Sequence, residues 1–148
     1  MSITVAEGIA LARQGAHPAQ ICQLRSGWVV LCTMQYLRGY CILLADPLAA
    51  SLNDLDNERR ADFLLDMTRV GDALQRSTGA HRINYAVMGN SDPWLHAHIV
   101  PRYLDEPGTM LHNSPWAYPP EVMNGHPFDA KRDAGLIQQL REILTQGR

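Results

Sequence analysis

Two histidines, His96 and His98, stand two residues apart in a mostly apolar segment that runs from Trp94 to Tyr103. Successive side chains on a β-strand point to opposite faces, so both imidazoles are expected on one face, with Trp94 and Val100 beside them. The alternate residues would point into a core, and these are Leu95, Ala97 and Ile99. Imidazole titrates near neutral pH, so it can serve as a nucleophile or exchange protons there. The pair therefore indicates a site.

A turn-forming segment, Gly89-Asn90-Ser91-Asp92-Pro93, comes just before the two histidines. Residues 82–88 before it are predicted to form a strand, which makes the histidines part of the second strand of a hairpin. The backbone N–H groups of the polar loop would be available to an anion. Pro101 cannot donate to a sheet ladder, so it is predicted to end the second strand.

These segments resemble the signature of the histidine triad family of nucleotide-binding proteins. That signature alternates three histidines with apolar residues and often continues into Pro-Arg. His96 and His98 match the second and third histidines, and Pro101-Arg102 matches the pair that follows. Gly89-Asn90-Ser91 falls where the family commonly has Gly-Gln-Ser or Gly-Gln-Thr.

A second match to the same family lies upstream. In this chain a strand-like run from Gly39 to Leu44 is followed by Ser51-Leu52-Asn53-Asp54-Leu55. In the family, a Gly-His-Thr-Leu-Val-Ile strand is often followed, at the same separation, by a helix that starts with Ser-Leu-Asn-Asp-Leu. Together the matches bracket roughly residues 25 to 103. The chain also departs from the pattern: Trp94 replaces the first triad histidine, Cys32 falls on the acid that usually binds ribose, and Leu48 falls on a usual histidine.

The resemblance implies a hydrolase or nucleotidyl transferase that acts at the α-phosphate of a nucleotide. It assigns the nucleophile to His96, which would carry a nucleotidyl-histidine intermediate. His98 would hydrogen-bond a phosphoryl oxygen or help to protonate the leaving group. The substrate-binding candidates are Asn84, Asn90, Ser91 and Trp94. The mechanism needs no metal and no cofactor, and the family implies a homodimer.

Two other interpretations of the histidine pair remain open at this point. A His-x-His strand also supplies two ligands to zinc or iron, although the next acid, Asp105, lies beyond Pro101. Alternatively, the chain binds a nucleotide without turning it over, because the first histidine and the ribose acid are missing. Measured metal content and measured hydrolysis would separate these interpretations from the enzyme.

Composition limits the other functions open to the chain. A length of 148 residues suits one domain, over 1–148, and the formal net charge of −2 argues against a broad surface for duplex nucleic acid. No window approaches the roughly 20 apolar residues of a membrane span, and the first residues lack the features of a secretory signal. Three cysteines, an odd number, favour a reduced, cytoplasmic setting.

The periodicity of the chain predicts an α+β fold with an antiparallel sheet of about five strands. The core would span about residues 20–103, followed by a proline-rich arm at 104–128 without regular period and a helix at 129–146, capped by Asp129. A capping box at Thr4 predicts a first helix that reaches about Gln14. The longest helical pattern covers residues 53–78, with Asn53 as N-cap and Gly79 as the stop signal. The arm is expected to lie across the domain, a partner subunit or the mouth of the site.

Overall fold

The computed structural model of the chain describes residues 2–146. Residues 1, 147 and 148, the ends of the predicted domain, lie outside the described residues. The elements in order are α1 (Val5–Arg13), β1 (Gln20–Leu24), β2 (Gly27–Leu31), β3 (Cys41–Ala45), α2 (Asn57–Thr78), β4 (Arg82–Ala86), β5 (His96–Arg102), α3 (Gly108–Leu111), α4 (Pro120–Met123) and α5 (Ala134–Gln146). Between residues 2 and 146, no helix combines the length and the apolar character that crossing a bilayer would demand.

The five strands form one antiparallel sheet in the order β1-β2-β3-β5-β4, which confirms the predicted α+β fold. One face packs against α2 and α5 and contains the main core, including the predicted inward residues Leu95, Ala97 and Ile99. The other face carries His96 and His98. There α1 packs on Val30 and Leu44, while the arm packs beside them on a second cluster. The two histidines therefore lie on the face that the long helix leaves open.

The long helix α2 packs on the sheet through the stripe that its sequence predicted. Phe63, Met67, Val70 and Leu74 recur at helical spacing, and all four are buried in the main core. Gly79 ends the helix in the left-handed conformation, with φ of 73°, where a residue with a Cβ would be strained. The predicted helix and its stop signal are therefore both found.

Two predicted helix starts were wrong. Residues Leu52–Asp54 form a separate 3-10 turn, and Leu55 after it is extended, so Asn53 is not the N-cap. The helix begins at Asn57, and the Asp56 carboxylate caps it by accepting from the Arg59 N–H. Likewise, the Asp129 carboxylate closes a turn before α5 begins at Ala134. In both cases the residue that was predicted to cap the helix lies in a separate turn before the helix begins.

Pro101 does not end its strand, contrary to the prediction. β5 continues to Arg102, and Pro101 lies opposite Ile83 of β4. The pairing of β5 with β3 stops at Ile99, opposite Cys41, so beyond that point β5 has a strand partner only on the β4 side. A proline without an N–H is tolerated where one side of a strand has no partner.

The arm at residues 104–128 contains short helical turns, α3, Pro115–Ala117 and α4, and packs on the histidine face of the sheet. Its aromatic side chains Trp116 and Tyr118 belong to a cluster with Tyr40 and Val100. The arm therefore lies across the domain, beside His98.

Candidate functional site

A cavity of about 640 Å³ opens on the sheet face beside His96 and His98. Helix α1 forms one wall, and the loop before β5 forms another through Ser91 and Trp94. The remaining lining is largely apolar and includes Val30, Ile42, Leu44, Met34 and Phe128. A pocket of this size, apolar with a few polar groups at one end, is typical of small-molecule sites.

His96 is nearly buried, with 9% of its surface exposed, and its ring is fixed by a backbone contact. The Nδ1 atom lies 2.7 Å from the carbonyl oxygen of Trp94. Because a carbonyl can only accept, Nδ1 carries the proton of the neutral ring, and the lone pair is on Nε2. The orientation thus leaves the nucleophilic nitrogen of His96 free for the cavity that it lines.

His98 stands next to His96, with ring centroids 5.0 Å apart, as strand alternation predicted. Its Nδ1 lies 2.7 Å from the hydroxyl oxygen of Tyr40, and the Trp116 ring packs edge-on against it at a centroid distance of 5.5 Å. Burial, helped by the nearby His96, lowers the pKa of His98 to about 4. The ring is therefore neutral at pH 7.

The loop between β4 and β5 is tied to α1. Asp92 accepts hydrogen bonds from the backbone N–H of Val5, at 2.8 Å, and of Trp94, at 3.2 Å. A carboxylate at the first turn of a helix is also favoured by the helix dipole. These bonds hold Ser91 and Trp94 at the cavity, whereas Asn90 is exposed and does not line it.

Of the other predicted substrate-binding residues, Trp94 lines the cavity and Asn84 does not. Trp94 does not share the strand face with the histidines, since β5 begins at His96, but it lines the cavity with 38% of its surface exposed. Asn84 lies on β4 opposite Val100, outside the cavity. Its Oδ1 accepts a hydrogen bond from Arg102 at 2.8 Å. The structure thus brings His96, His98, Ser91 and Trp94 together, but not Asn84 or Asn90.

Sequence reasoning missed two residues of the site. His17 lines the cavity, and its Nδ1 accepts from the backbone N–H of Ala19. Tyr40, which occupies the position of the histidine in the family's Gly-His strand, contacts His98 from 58 residues away. No sequence signal pointed to His17, whereas the polar hydroxyl within the apolar run after Gly39 was a signal for Tyr40.

Arg102 is buried beneath the arm rather than solvated at the strand end. Its guanidinium pairs with Glu106 at 2.9 Å, and both side chains are 4% exposed. It also donates to the carbonyls of Met110 and Asn113, at 2.7 Å each. Tyr118 donates to the same Glu106 carboxylate. This buried network, which we call the Arg102 network, attaches the arm to the sheet.

The metal-site interpretation lacks a further protein ligand in the part of the chain that the structure describes. Among residues 2–146, no three or more His, Cys, Asp or Glu side chains are grouped closely enough to hold a metal ion. A structural zinc site uses four protein ligands and a catalytic one commonly uses three.

Solved structures of histidine triad proteins share this fold. One from Bradyrhizobium japonicum is 27% identical, with a TM-score of 0.66, and the match covers 84% of this chain and 89% of that one. One from Marinobacter aquaeolei VT8 is 23% identical, with a TM-score of 0.72 and coverage of 86% and 88%. A hypothetical histidine triad nucleotide-binding protein from Sulfolobus tokodaii is 14% identical, with a TM-score of 0.68 and coverage of 93% and 91%. No protein-family model and no curated protein matches the chain. The fold is that of histidine triad proteins.

Proposed function

We propose that this chain, which has the histidine triad fold, is a nucleotide-binding hydrolase or nucleotidyl transferase. It would act at the α-phosphate of a nucleoside polyphosphate or phosphoramidate. The observation that carries the proposal is the orientation of His96, whose Nδ1 donates to the Trp94 carbonyl and whose Nε2 is free beside the cavity. A fold hosts many functions, so the proposal depends on this site and not on the fold alone.

The proposed reaction begins with attack of His96 Nε2 on the α-phosphorus. A bond from Nε2 to phosphorus forms, and the bond to the leaving group breaks with its electron pair going to the leaving group. The ring then carries a positive charge, which the Trp94 carbonyl stabilises because it accepts from Nδ1. Water or another acceptor next attacks the phosphorus, the bond from phosphorus to Nε2 breaks with its electron pair returning to Nε2, and the proton of the attacking group passes to the leaving group or to solvent. The products are a nucleoside monophosphate, or its derivative, and neutral His96.

The remaining polar groups of the site serve the phosphate in this proposal. His98 is adjacent to His96, and Ser91 lines the same cavity from the loop. Donors placed where negative charge develops stabilise the transition state. Trp94 and the apolar wall would contact the rest of the nucleotide. Asn84 has no role in this proposal, because its Oδ1 accepts a hydrogen bond from Arg102. Asn90 has none either, because it does not line the cavity.

The experiment that tests this proposal is mass spectrometry of a quenched reaction. The protein is mixed with adenosine phosphoramidate or a dinucleoside polyphosphate, quenched in alkaline denaturant that preserves phosphorus–nitrogen bonds, and digested with trypsin. The expected result is a nucleoside monophosphoryl group on the peptide of residues 83–102, with fragmentation assigning it to His96 rather than His98. A sample quenched before the substrate is added is the control.

The alternative is a module that binds nucleotides without turning them over. It predicts measurable nucleotide affinity together with no adduct and no nucleoside monophosphate released from a broad substrate panel. That combination of results would contradict the enzymatic proposal and favour the binding module. The loss of the first triad histidine at Trp94 is the feature that motivates this alternative.

A homodimer is part of the proposal, and the edge of the sheet suggests where it would form. β4 is an outer strand, so one side of its backbone has no strand partner within the described chain. Tyr85 and Met88, at and just after this strand, are 39% and 56% exposed. Light scattering is expected to give twice the 16.5 kDa chain mass. Met88→Glu should weaken the dimer by placing charge at its edge.

The control for the dimer prediction is Leu65→Glu on α2. Leu65 is 60% exposed, so this change adds the same charge to an apolar surface away from β4. It should leave the mass at twice that of the chain. A monomer mass for the unmodified protein, or equal weakening by both variants, would contradict the β4 dimer.

We also propose a cytoplasmic location. The three cysteines, Cys22, Cys32 and Cys41, are all buried, which is typical of thiols that act as small apolar residues. Burial raises the pKa of the Cys32 thiol, so at neutral pH it stays protonated and unreactive. Buried thiols of this kind fit a reducing compartment.

A further inference from the structure

Tyr40 lies directly against the second histidine of the site. It is 0% exposed, and its hydroxyl oxygen is 2.7 Å from His98 Nδ1. The contact follows from the sheet register, since Ile42 of β3 lies opposite His98 and Tyr40 precedes Ile42 by one pleat on the same face. A short, partly buried hydrogen bond of this kind holds both rings in place.

The neighbours of Tyr40 decide which atom donates in this bond. A hydroxyl has one hydrogen to donate, and leaving a buried donor without an acceptor costs free energy. Burial raises the pKa of Tyr40, so its hydroxyl keeps its proton. Because Tyr40 is 0% exposed, a neighbouring side chain and not solvent must accept that proton.

Two groups beside Tyr40 could receive that proton. One is the sulfur of Cys32, a residue of the same buried cluster whose backbone N–H donates to the Tyr40 carbonyl. A thiol sulfur is a weak acceptor, however, and an imidazole nitrogen is a strong one. The 2.7 Å separation from His98 Nδ1 fits a full hydrogen bond. Tyr40 therefore donates to His98 Nδ1.

We propose that Tyr40 is a positioning residue that fixes His98 in the Nε2–H tautomer, so that His98 donates a hydrogen bond to a phosphoryl oxygen of the substrate. With Nδ1 accepting, the single proton of the neutral ring must lie on Nε2. His96 has the opposite arrangement, with its proton on Nδ1. Two histidines on one strand thus present a lone pair and an N–H to the same cavity.

This assignment chooses between the two roles that the family resemblance left to His98. A ring whose pKa is lowered to about 4 by burial and by His96 carries no positive charge at pH 7. A neutral imidazole is a far weaker acid than an imidazolium, so His98 is suited to stabilising charge by hydrogen bonding and not to protonating a leaving group. The hydrogen bond from His98 to a phosphoryl oxygen rests on the proposed function, whereas the tautomer that Tyr40 fixes does not.

The first test needs no substrate. In protein labelled with ¹⁵N at histidine, long-range ¹H–¹⁵N correlation spectra at pH 7 distinguish a protonated ring nitrogen from an unprotonated one. The expected spectrum shows His98 protonated on Nε2 and His96 protonated on Nδ1. A spectrum with His98 protonated on Nδ1 would mean that His98 donates to Tyr40, and it would overturn the proposal whether or not the protein turns over nucleotides.

The second test is Tyr40→Phe, which removes the hydroxyl and keeps the ring. The expected spectrum shows His98 as a mixture of tautomers, and kcat for the nucleotide substrate falls about tenfold with KM changed less than about threefold. Tyr36→Phe is the matched control, because Tyr36 packs against Tyr40 but its hydroxyl donates to the Pro115 carbonyl. It should leave the His98 spectrum unchanged and kcat within about twofold.

The outcomes separate the two proposals. An unchanged His98 spectrum in Tyr40→Phe, or the same effect from Tyr36→Phe, would overturn the role of Tyr40. If the unmodified protein shows no turnover of any nucleotide, the proposed function fails, while the tautomer spectra still decide whether Tyr40 fixes His98. If Tyr40→Phe does not fold, the spectrum of the unmodified protein remains the deciding measurement.

Discussion

His96→Ala is expected to lower kcat/KM for a dinucleoside polyphosphate or adenosine phosphoramidate by at least about 1,000-fold, because it removes the proposed nucleophile. His98 does not replace it, because the lone pair of His98 is directed at Tyr40. The nucleoside monophosphoryl adduct should disappear with the activity. The measurements are initial rates of nucleoside monophosphate release and mass spectrometry of the peptide.

The control for His96→Ala is His81→Ala. His81 is an exposed histidine just before β4, and only its backbone N–H, which donates to the Arg102 carbonyl, takes part in the fold. This variant should retain activity within about twofold. Circular dichroism and the affinity for a non-hydrolysable nucleotide analogue show whether His96→Ala keeps its fold and its cavity. Full turnover by a folded His96→Ala protein would refute the assignment of the nucleophile.

Arg102→Ala is expected to lower the free energy of unfolding by about 3–5 kcal/mol, the cost of leaving one partner of a buried ion pair alone. The Glu106 carboxylate would lose its cation while its side chain is 4% exposed. The carbonyls of Met110 and Asn113 would lose their donors as well. Urea denaturation measures the loss. Limited proteolysis should then cut within residues 104–128, because the same guanidinium attaches the arm to the sheet.

Two further variants make this stability prediction specific. Arg25→Ala breaks an ion pair with Asp62 in which the arginine is 73% exposed, so it should cost no more than about 1 kcal/mol. Arg102→Lys keeps the charge but loses the planar fork of donors, so its cost should lie between those of the two alanine variants. If Arg102→Ala costs no more than Arg25→Ala, the Arg102 network does not hold the arm.

The two predictions are connected through Trp116. The arm that Arg102 anchors also places Trp116 against His98, at a ring centroid distance of 5.5 Å. Trp116 also packs in the same cluster as Tyr40, whose hydroxyl contacts His98. A loosened arm should therefore reduce activity even though Arg102 does not line the cavity.

Features that follow from local alternation and spacing could be predicted from the sequence. The His-x-His pair on one strand face requires only that side chains alternate along a strand. The buried stripe of α2 and its stop at Gly79 follow from the helical period and from the freedom of glycine in the left-handed region. The resemblance to the histidine triad family extended these local patterns to a complete fold, and the solved structures share that fold.

Features that depend on which distant segments meet could be decided only by the tertiary structure. The sequence did not reveal that Tyr40 reaches His98, because that contact requires the register of β3 on β5. It did not reveal that His17 lines the cavity, or that Asn84 is paired with Arg102 instead of facing a substrate. Nor did it reveal that Arg102, at the end of β5, is buried because the arm folds back over it. A residue's face is set by its immediate neighbours, whereas its partners are set by chain segments tens of residues away. The sequence therefore indicated the histidines, and the structure showed which groups contact their rings.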